Sequence, residues 1–154
     1  MSDTSRASTG ADGFTADERA AMKERAAELR NEAKRAKGAA KAEAELKDVL
    51  DAIAKLADDA DRALAQQLHE LIVEVGPELA PRTWYGMPAY ALNGKVLCFL
   101  QPASKFDTRY LTLGFNDTAQ LDEGAMWPAS FAVTSLGAAE KKRITELVRR
   151  AIGQ

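Results

Sequence analysis

The chain has a single cysteine and a single histidine among its 154 residues. One cysteine excludes a disulfide within the chain, and Cys98 lies in an apolar run, where cysteine is usually a small buried hydrophobic residue. A reactive thiol needs a basic neighbour, but His69 lies on a different predicted element. Neither a Walker loop nor a G-x-G-x-x-G motif is present. We therefore expect no catalytic residues and a protein that is not an enzyme.

Long apolar runs and a strong net charge are also missing. No stretch reaches the roughly 18 apolar residues that can span a membrane, and the polar N-terminus lacks the apolar core of a signal peptide. The formal net charge is −2, from 21 basic and 23 acidic side chains. A chain so close to neutral lacks the excess of basic residues that nucleic-acid-binding proteins usually carry. We expect a cytoplasmic protein with neither a membrane nor nucleic acid as its main partner.

The N-terminal third is rich in small and charged residues. Residues 1–13 offer nothing to bury and are expected to form a disordered tail. Thr15 can cap a helix that starts behind Phe14, so we predict a helical extension over residues 14–57 with a stop or hinge at Gly38. The second half of this extension, Leu46–Leu56, has an apolar stripe at helical spacing.

Two interpretations of this extension stay open. It is either a solvated helix or a basic arm that contacts a protein partner or phosphate, because Lys34, Arg35 and Lys37 follow one another closely. The apolar stripe of its second half must be buried somewhere. It can pack on the chain's own sheet or on a second copy, which would make a homodimer.

Residues 58–154 have the pattern of an α+β domain. A core helix ends at Gly76-Pro77, and Asn93-Gly94 is a strong signal for a hairpin turn. Apolar and alternating runs predict strands on both sides of that turn, and 138–152 reads as a helix. We predict two layers: an antiparallel sheet of four to five strands, packed by an N-terminal and a C-terminal helix.

A specific resemblance begins at Trp84-Tyr85-Gly86-Met87-Pro88-Ala89-Tyr90. This block resembles the Y-G-M-P-A-aromatic motif of the YdhG-like family, a bacterial group of domains of unknown function. The likeness continues through Asn93–Leu97 and the strand Tyr110–Phe115, and covers roughly residues 61–152. It implies a frataxin-like layout, and some members are grouped as iron chaperones. Where typical members have a Lys-Gly-rich turn, this chain has Met126–Ser130.

The aromatic block is the leading candidate for a ligand site. Pro88 cannot donate to a sheet ladder, so we expect its strand to be an edge strand or a bulged one. Aromatic residues with a polar group are common in small-molecule pockets. Lys105 and Arg109, in a predicted loop, can hold an anion. The predicted ligand-binding residues are Trp84, Tyr85, Met87, Tyr90, Trp127, Lys105 and Arg109. The same aromatic residues can instead pack the second face of the sheet beneath the N-terminal helix.

Iron is the alternative ligand. Hard oxygen ligands suit iron, and an acidic ridge can be assembled at the start and along the polar side of the core helix. The predicted metal ligands are Asp58, Asp59, Asp61, Glu70 and Glu74. Acidic residues are also expected at a helix N-terminus, because their negative charge interacts favourably with the positive end of the helix dipole. The sequence thus predicts a binding domain for a small ligand, with an iron chaperone and an interaction module as alternatives.

Overall fold

The computed structural model describes residues 15–154, in which four helices and five strands form. The helices are α1 (Ala16–Ala54), α2 (Asp59–Val75), α3 (Ala103–Phe106) and α4 (Ala138–Ile152). The strands are β1 (Ala80–Trp84), β2 (Met87–Leu92), β3 (Lys95–Gln101), β4 (Leu111–Phe115) and β5 (Ser130–Val133). The predicted α+β class is confirmed. None of these helices is long and apolar enough to cross a membrane. The predicted disordered tail, residues 1–13, and Phe14 lie outside the described residues.

Helix α1 begins where its capping residue predicts. Thr15 Oγ1 accepts a hydrogen bond of 3.1 Å from the backbone N–H of Glu18. The helix then continues without interruption through Gly38, so the expected stop or hinge at Gly38 was wrong. A glycine within a helix costs about 1 kcal/mol relative to alanine. The Ala-, Lys- and Glu-rich residues on both sides have high helix propensity and offset that cost.

The chain divides into two compact units, and the second of them is Ala42–Gln154. It begins at Ala42 and not at the predicted residue 58, because Val49 and Ile53 near the end of α1 are buried in its core. The apolar stripe that we predicted for Leu46–Leu56 therefore packs within this unit. Residues 16–41 of α1 belong to the first unit.

The sheet is an antiparallel meander in the order β1-β2-β3-β4-β5. Tyr90, Cys98 and Phe115 are paired across neighbouring strands and so lie on one face. Tyr90 is bonded to His69 of α2, which identifies this face as the one that the helices cover. Residues of α1, α2, α4 and this face share the apolar core: Val49, Ile53, Leu68, Ile72, Tyr90, Leu100, Leu113, Ile144 and Val148.

The strand that carries Pro88 is an inner strand, which corrects the expectation of an edge strand. β1 pairs with β2 along Ala80–Trp84 and forms the edge instead. The pairing of β2 with β3 begins at Ala89, one residue after Pro88, so the missing N–H lies at the start of that ladder. β2 does carry an irregularity in its register, between Tyr90 and Ala91.

A buried carboxylate joins the start of α2 to the segment that follows β3. Asp61 is only 6% exposed. Its Oδ1 accepts the Ala103 N–H at 3.1 Å, and its Oδ2 accepts the Ser104 N–H at 3.0 Å and the Ser104 hydroxyl at 2.6 Å. These bonds fix α3, a helix of four residues that cannot be stable through its own hydrogen bonds.

We predict that Asp61→Ala destabilises the compact unit. The change leaves two backbone N–H groups without their acceptor, and we expect the free energy of unfolding to fall by about 2–4 kcal/mol. Urea denaturation followed by circular dichroism measures it. Asp59→Ala is the matched control, since Asp59 contributes an exposed ion pair with Arg62 and such a pair is worth less than about 1 kcal/mol. Equal losses in the two variants would contradict the structural role of Asp61.

Candidate functional site

A cleft of about 480 Å³ lies within the compact unit Ala42–Gln154. Three parts of the chain line it: the end of α1 with the residues that follow it, the end of β1 with the β1–β2 turn, and α3. Its charged side chains are Asp48, Asp51, Lys55 and Lys105, and its polar groups include the hydroxyls of Thr83 and Ser104. The cleft therefore presents both signs of charge in equal number.

The turn between β1 and β2 forms one rim of the cleft. Tyr85 and Gly86 both have left-handed backbone conformations, with φ of 50° and 75°. Two successive residues of this kind make a type I′ turn, which matches the twist of antiparallel strands. A side chain at position 86 would displace the amine at the flexible end of Lys105, and the left-handed backbone conformation is what requires glycine there.

Lys105 anchors this turn to α3. Its Nζ donates a hydrogen bond of 2.8 Å to the Gly86 carbonyl oxygen. Lys105 follows directly after Ser104, whose N–H and hydroxyl are held by Asp61. The geometry of the cleft on this side thus depends on a chain of contacts from α2 through α3 to the turn.

The opposite side of the cleft is formed by the last turns of α1. Lys47 Nζ donates a hydrogen bond of 2.7 Å to Asp51 Oδ2. This bond lowers the pKa of the Asp51 carboxyl and raises the pKa of Lys47. Both side chains are open to solvent, so the ion pair contributes little to stability. Asp51 is thereby kept ionised and partly neutralised by its own helix.

The predicted aromatic residues form two separate groups rather than one pocket. Trp84 contacts Tyr85 and Phe99, with ring centroids 5.0 and 5.3 Å apart. The Phe99 ring lies across Gly114, on the face of the sheet opposite the helices. Tyr85 is 80% exposed at the end of this row. Met87, by contrast, is nearly buried in β2.

Tyr90 belongs to the core. It is fully buried, and its hydroxyl lies 2.8 Å from Nδ1 of the buried His69. Trp127 precedes β5, at the opposite edge of the sheet from β1, and packs against the core. Four strand spacings of about 4.8 Å separate those edges by roughly 19 Å. The sheet order thus keeps Trp127 apart from Tyr85.

Lys105 and Arg109, predicted together as an anion site, line different cavities. Lys105 lines the cleft of about 480 Å³, whereas Arg109 lines a smaller cavity of about 160 Å³ with Asp58 and Asp61. The Arg109 guanidinium also lies over the Tyr110 ring, 5.3 Å from its centroid. The left-handed Asp107 ends α3 between them and turns the chain.

Four of the five predicted metal ligands have partners within the fold. Asp58 caps α2 by accepting the Asp61 N–H, Asp59 pairs with Arg62, and Asp61 holds α3. Glu70 accepts from the Gln66 amide, and Glu74 is exposed. Within residues 15–154, no group of three or more His, Cys, Asp or Glu side chains is arranged to hold a metal ion.

Burial shifts the pKa of three groups in the core: His69, Tyr90 and Cys98. It lowers the pKa of His69, an effect that the neighbouring Glu70 opposes, and it raises the pKa of Tyr90 well above its ordinary value. Burial also raises the pKa of the Cys98 thiol to about 12. Cys98 is thus a buried thiol, as its apolar run predicted. The His69–Tyr90 bond was not predicted, although His69 is in phase with Leu68 and Ile72 on the buried stripe of α2.

We predict that His69 makes the compact unit less stable in mild acid. Its pKa in the folded protein lies below the ordinary value of 6.5, so the unfolded chain binds the proton more readily. Stability is then fully present above pH 6.5 and is lost as the pH falls below that value toward the folded-state pKa.

Urea denaturation at several pH values tests this dependence. The loss of unfolding free energy below pH 6.5 should be smaller in His69→Gln than in the wild type. Glu70→Gln removes the neighbouring charge that opposes the shift of the His69 pKa, so it should enlarge the loss. An unchanged pH dependence in His69→Gln would show that the titration of other groups accounts for it.

Comparison with known proteins identifies neither a family nor a related structure. No protein-family model matches the chain, and neither a curated protein nor a solved structure matches it significantly.

Proposed function

We propose that the compact unit Ala42–Gln154 is a non-enzymatic binding domain for a small polar ligand that occupies the cleft beside the Tyr85–Gly86 turn. One observation carries the proposal: the cleft of about 480 Å³ is of the size that ligand sites usually have, roughly 300–1,000 Å³. The chain's histidine and its cysteine, the residues most suited to nucleophilic or acid–base chemistry, are buried in the core and do not line it.

The charges of the cleft indicate the class of ligand. Lys55 and Lys105 favour a carboxylate, while Asp48 and Asp51 favour an ammonium group. Lys105 is held in place by the Gly86 carbonyl, and Thr83 and Ser104 supply neutral hydrogen-bonding groups. A small zwitterion can pair with both the aspartates and the lysines. A dianion places a negative charge beside the two aspartates, and a dication places a positive charge beside the two lysines.

We predict that 5-aminopentanoate binds more tightly than glutarate or cadaverine, which have the same chain length and carry two negative or two positive charges. Binding is measured by NMR titration of the labelled protein, and the amides of Thr83, Gly86 and Lys105 should shift. Lys55→Met should weaken binding about tenfold, as expected for loss of one charged hydrogen bond.

The controls separate the cleft from the rest of the surface. Lys95→Met removes an exposed lysine outside the cleft and should leave binding unchanged, as should Trp127→Ala at the far edge of the sheet. Tighter binding of glutarate or cadaverine would keep the cleft as a site but reject the zwitterion. If none of the three compounds shifts the cleft amides, the proposed site is wrong.

A second candidate function concerns the first part of α1. Met22 and Leu29 are 53% and 49% exposed and seven residues apart. Alanines continue their stripe at the alternating spacing of three and four residues that coiled coils use. The full stripe is Met22, Ala26, Leu29, Ala33, Ala36 and Ala40. We propose that this stripe pairs with the same stripe of a second copy.

The flanking charges favour a parallel pair. In a parallel coiled coil Glu18 faces Lys23 of the second copy and Glu32 faces Lys37, against one repulsive pairing of Arg25 with Arg30. In the antiparallel arrangement the basic positions Lys23, Arg30 and Lys37 face one another, which is unfavourable. Gly38 then lies on the outer side, where its missing side chain does not weaken the contact.

We predict that the full chain self-associates reversibly with concentration and that Leu29→Lys makes it monomeric. Sedimentation velocity over a wide range of concentrations measures this. Arg35→Ala, on the outer side of the helix, is the control and should leave association intact. A wild-type chain that stays monomeric at the highest concentration contradicts the pairing.

A further inference from the structure

Residues 16–41 of α1 separate their charges between faces of the helix. Successive residues of an α-helix are turned by about 100°. Arg19 and five further basic residues therefore fall within about 60° of the helix circumference. The five form a basic stripe about 27 Å long: Lys23, Arg30, Lys34, Lys37 and Lys41. The acidic residues of this part all lie at least about 100° from the centre of the stripe: Asp17, Glu18, Glu24, Glu28 and Glu32.

The side chains of the basic stripe have no acidic partners. All five are exposed, and none of them forms an ion pair within residues 15–154. Positions three and four residues apart are neighbours on a helix surface. Among these neighbours of the stripe only Glu45, beside Lys41, is acidic. Arg25, which lies outside the stripe, pairs instead with Glu28 and Glu32.

The row of like charges opposes the helix that carries it. Arg30 and Lys34 are four residues apart, Lys34 and Lys37 three, and Lys37 and Lys41 four. Pairs of like charge at such spacings destabilise a helix. The whole chain has a formal net charge of −2, which conceals this local excess. An anion bound along the stripe relieves the repulsion.

We propose that the basic stripe binds the phosphate backbone of a nucleic-acid duplex. A duplex carries one negative charge per about 1.7 Å of its axis, and each phosphate neutralised by lysine or arginine releases condensed counterions. This release supplies affinity without apolar contacts, and between Lys23 and Lys41 no apolar residue lies in the sector of the stripe. A narrow row of cations meets phosphates only, so the contact holds the duplex without reading its sequence.

Other partners fit the stripe less well. A protein interface has an apolar core, and exposed ion pairs alone contribute little. A helix that lies on a membrane needs a large apolar face. The apolar stripe beside the basic one has only Met22 and Leu29 as large residues, and its far flank carries Glu18 and Glu32, which anionic lipid repels. A single strand stacks its bases on aromatic residues, and residues 16–41 contain none.

Lys34 is the residue best suited to test the stripe. In the parallel pair of α1 helices proposed above, Lys23 and Lys37 face glutamates of the second copy, whereas Lys34 lies outside the facing positions. Its replacement therefore leaves that pairing intact. Arg35 is the next residue, equally exposed, and lies about 100° away around the helix. Gln at either position removes one positive charge and keeps a high helix propensity.

The test titrates the full chain into a fluorescent DNA duplex of about 20 base pairs, longer than the stripe, and follows anisotropy. We expect a Kd of about 1–100 µM at physiological salt, whatever the base sequence. The logarithm of the association constant should fall with the logarithm of salt concentration with a slope of about −4.5, the value for five phosphates. Lys34→Gln should weaken binding about fivefold and make the slope shallower by about one. Arg35→Gln should keep both values.

Two further probes separate the classes of partner. Phosphatidylserine vesicles, and a polyglutamate chain with as many charges as the duplex, should both bind more weakly. Polyglutamate carries one charge per roughly 3.5 Å when extended, about half the density of the duplex. Equal or tighter binding of either probe assigns the stripe to a membrane or to an acidic protein and rejects the duplex. Equal losses in Lys34→Gln and Arg35→Gln, or no binding of the duplex at low salt, reject the stripe as a nucleic-acid contact.

Discussion

The geometry of the proposed cleft depends on the carboxylate of Asp61. Because it accepts the N–H groups of Ala103 and Ser104, a four-residue helix is held at a defined place against α2. Lys105 then reaches the Gly86 carbonyl and holds a turn with left-handed backbone at both of its positions. Burial of a carboxyl group is costly when it lacks partners, and here three hydrogen bonds offset that cost. Because these hydrogen bonds hold the Asp61 carboxylate within the fold, Asp61 is not free to bind a metal ion.

The simple strand order separates the proposed cleft from the far edge of the sheet. In an antiparallel meander every strand lies beside its sequence neighbours, so the first and last strands become opposite edges. The cleft lies near β1 and β2, whereas β5 is the strand farthest from it. Variants at β5 can therefore serve as controls for binding in the cleft.

Local signals predicted most of the fold. The turn at Asn93-Gly94, the helix stop at Gly76-Pro77 and the stripe of α4 depend on residues close in sequence, and all appear in the structure. β1 was not predicted, because Pro81 and the preceding Pro77 suggest a loop. Its pairing with β2 is what places Pro88 on an inner strand. The start of the compact unit was also misjudged, since the burial of Val49 and Ile53 depends on contacts with distant elements.

The candidate site was harder to predict because its parts come from distant segments, yet one signal was available. Asp58, Asp59 and Asp61 look alike as a run of acidic residues at a helix start. Within the helix, Asp61 is in phase with the buried stripe Ala65, Leu68 and Ile72, at spacings of four, three and four residues, whereas Asp59 is out of phase and Asp58 precedes the helix as its cap. A charged side chain at such a position must find buried partners, and Asp61 finds them in α3. His69 occupies the same stripe and finds Tyr90. Polar residues in phase with an apolar stripe therefore mark the long-range contacts of the fold, whereas out-of-phase residues of the same type remain on its surface.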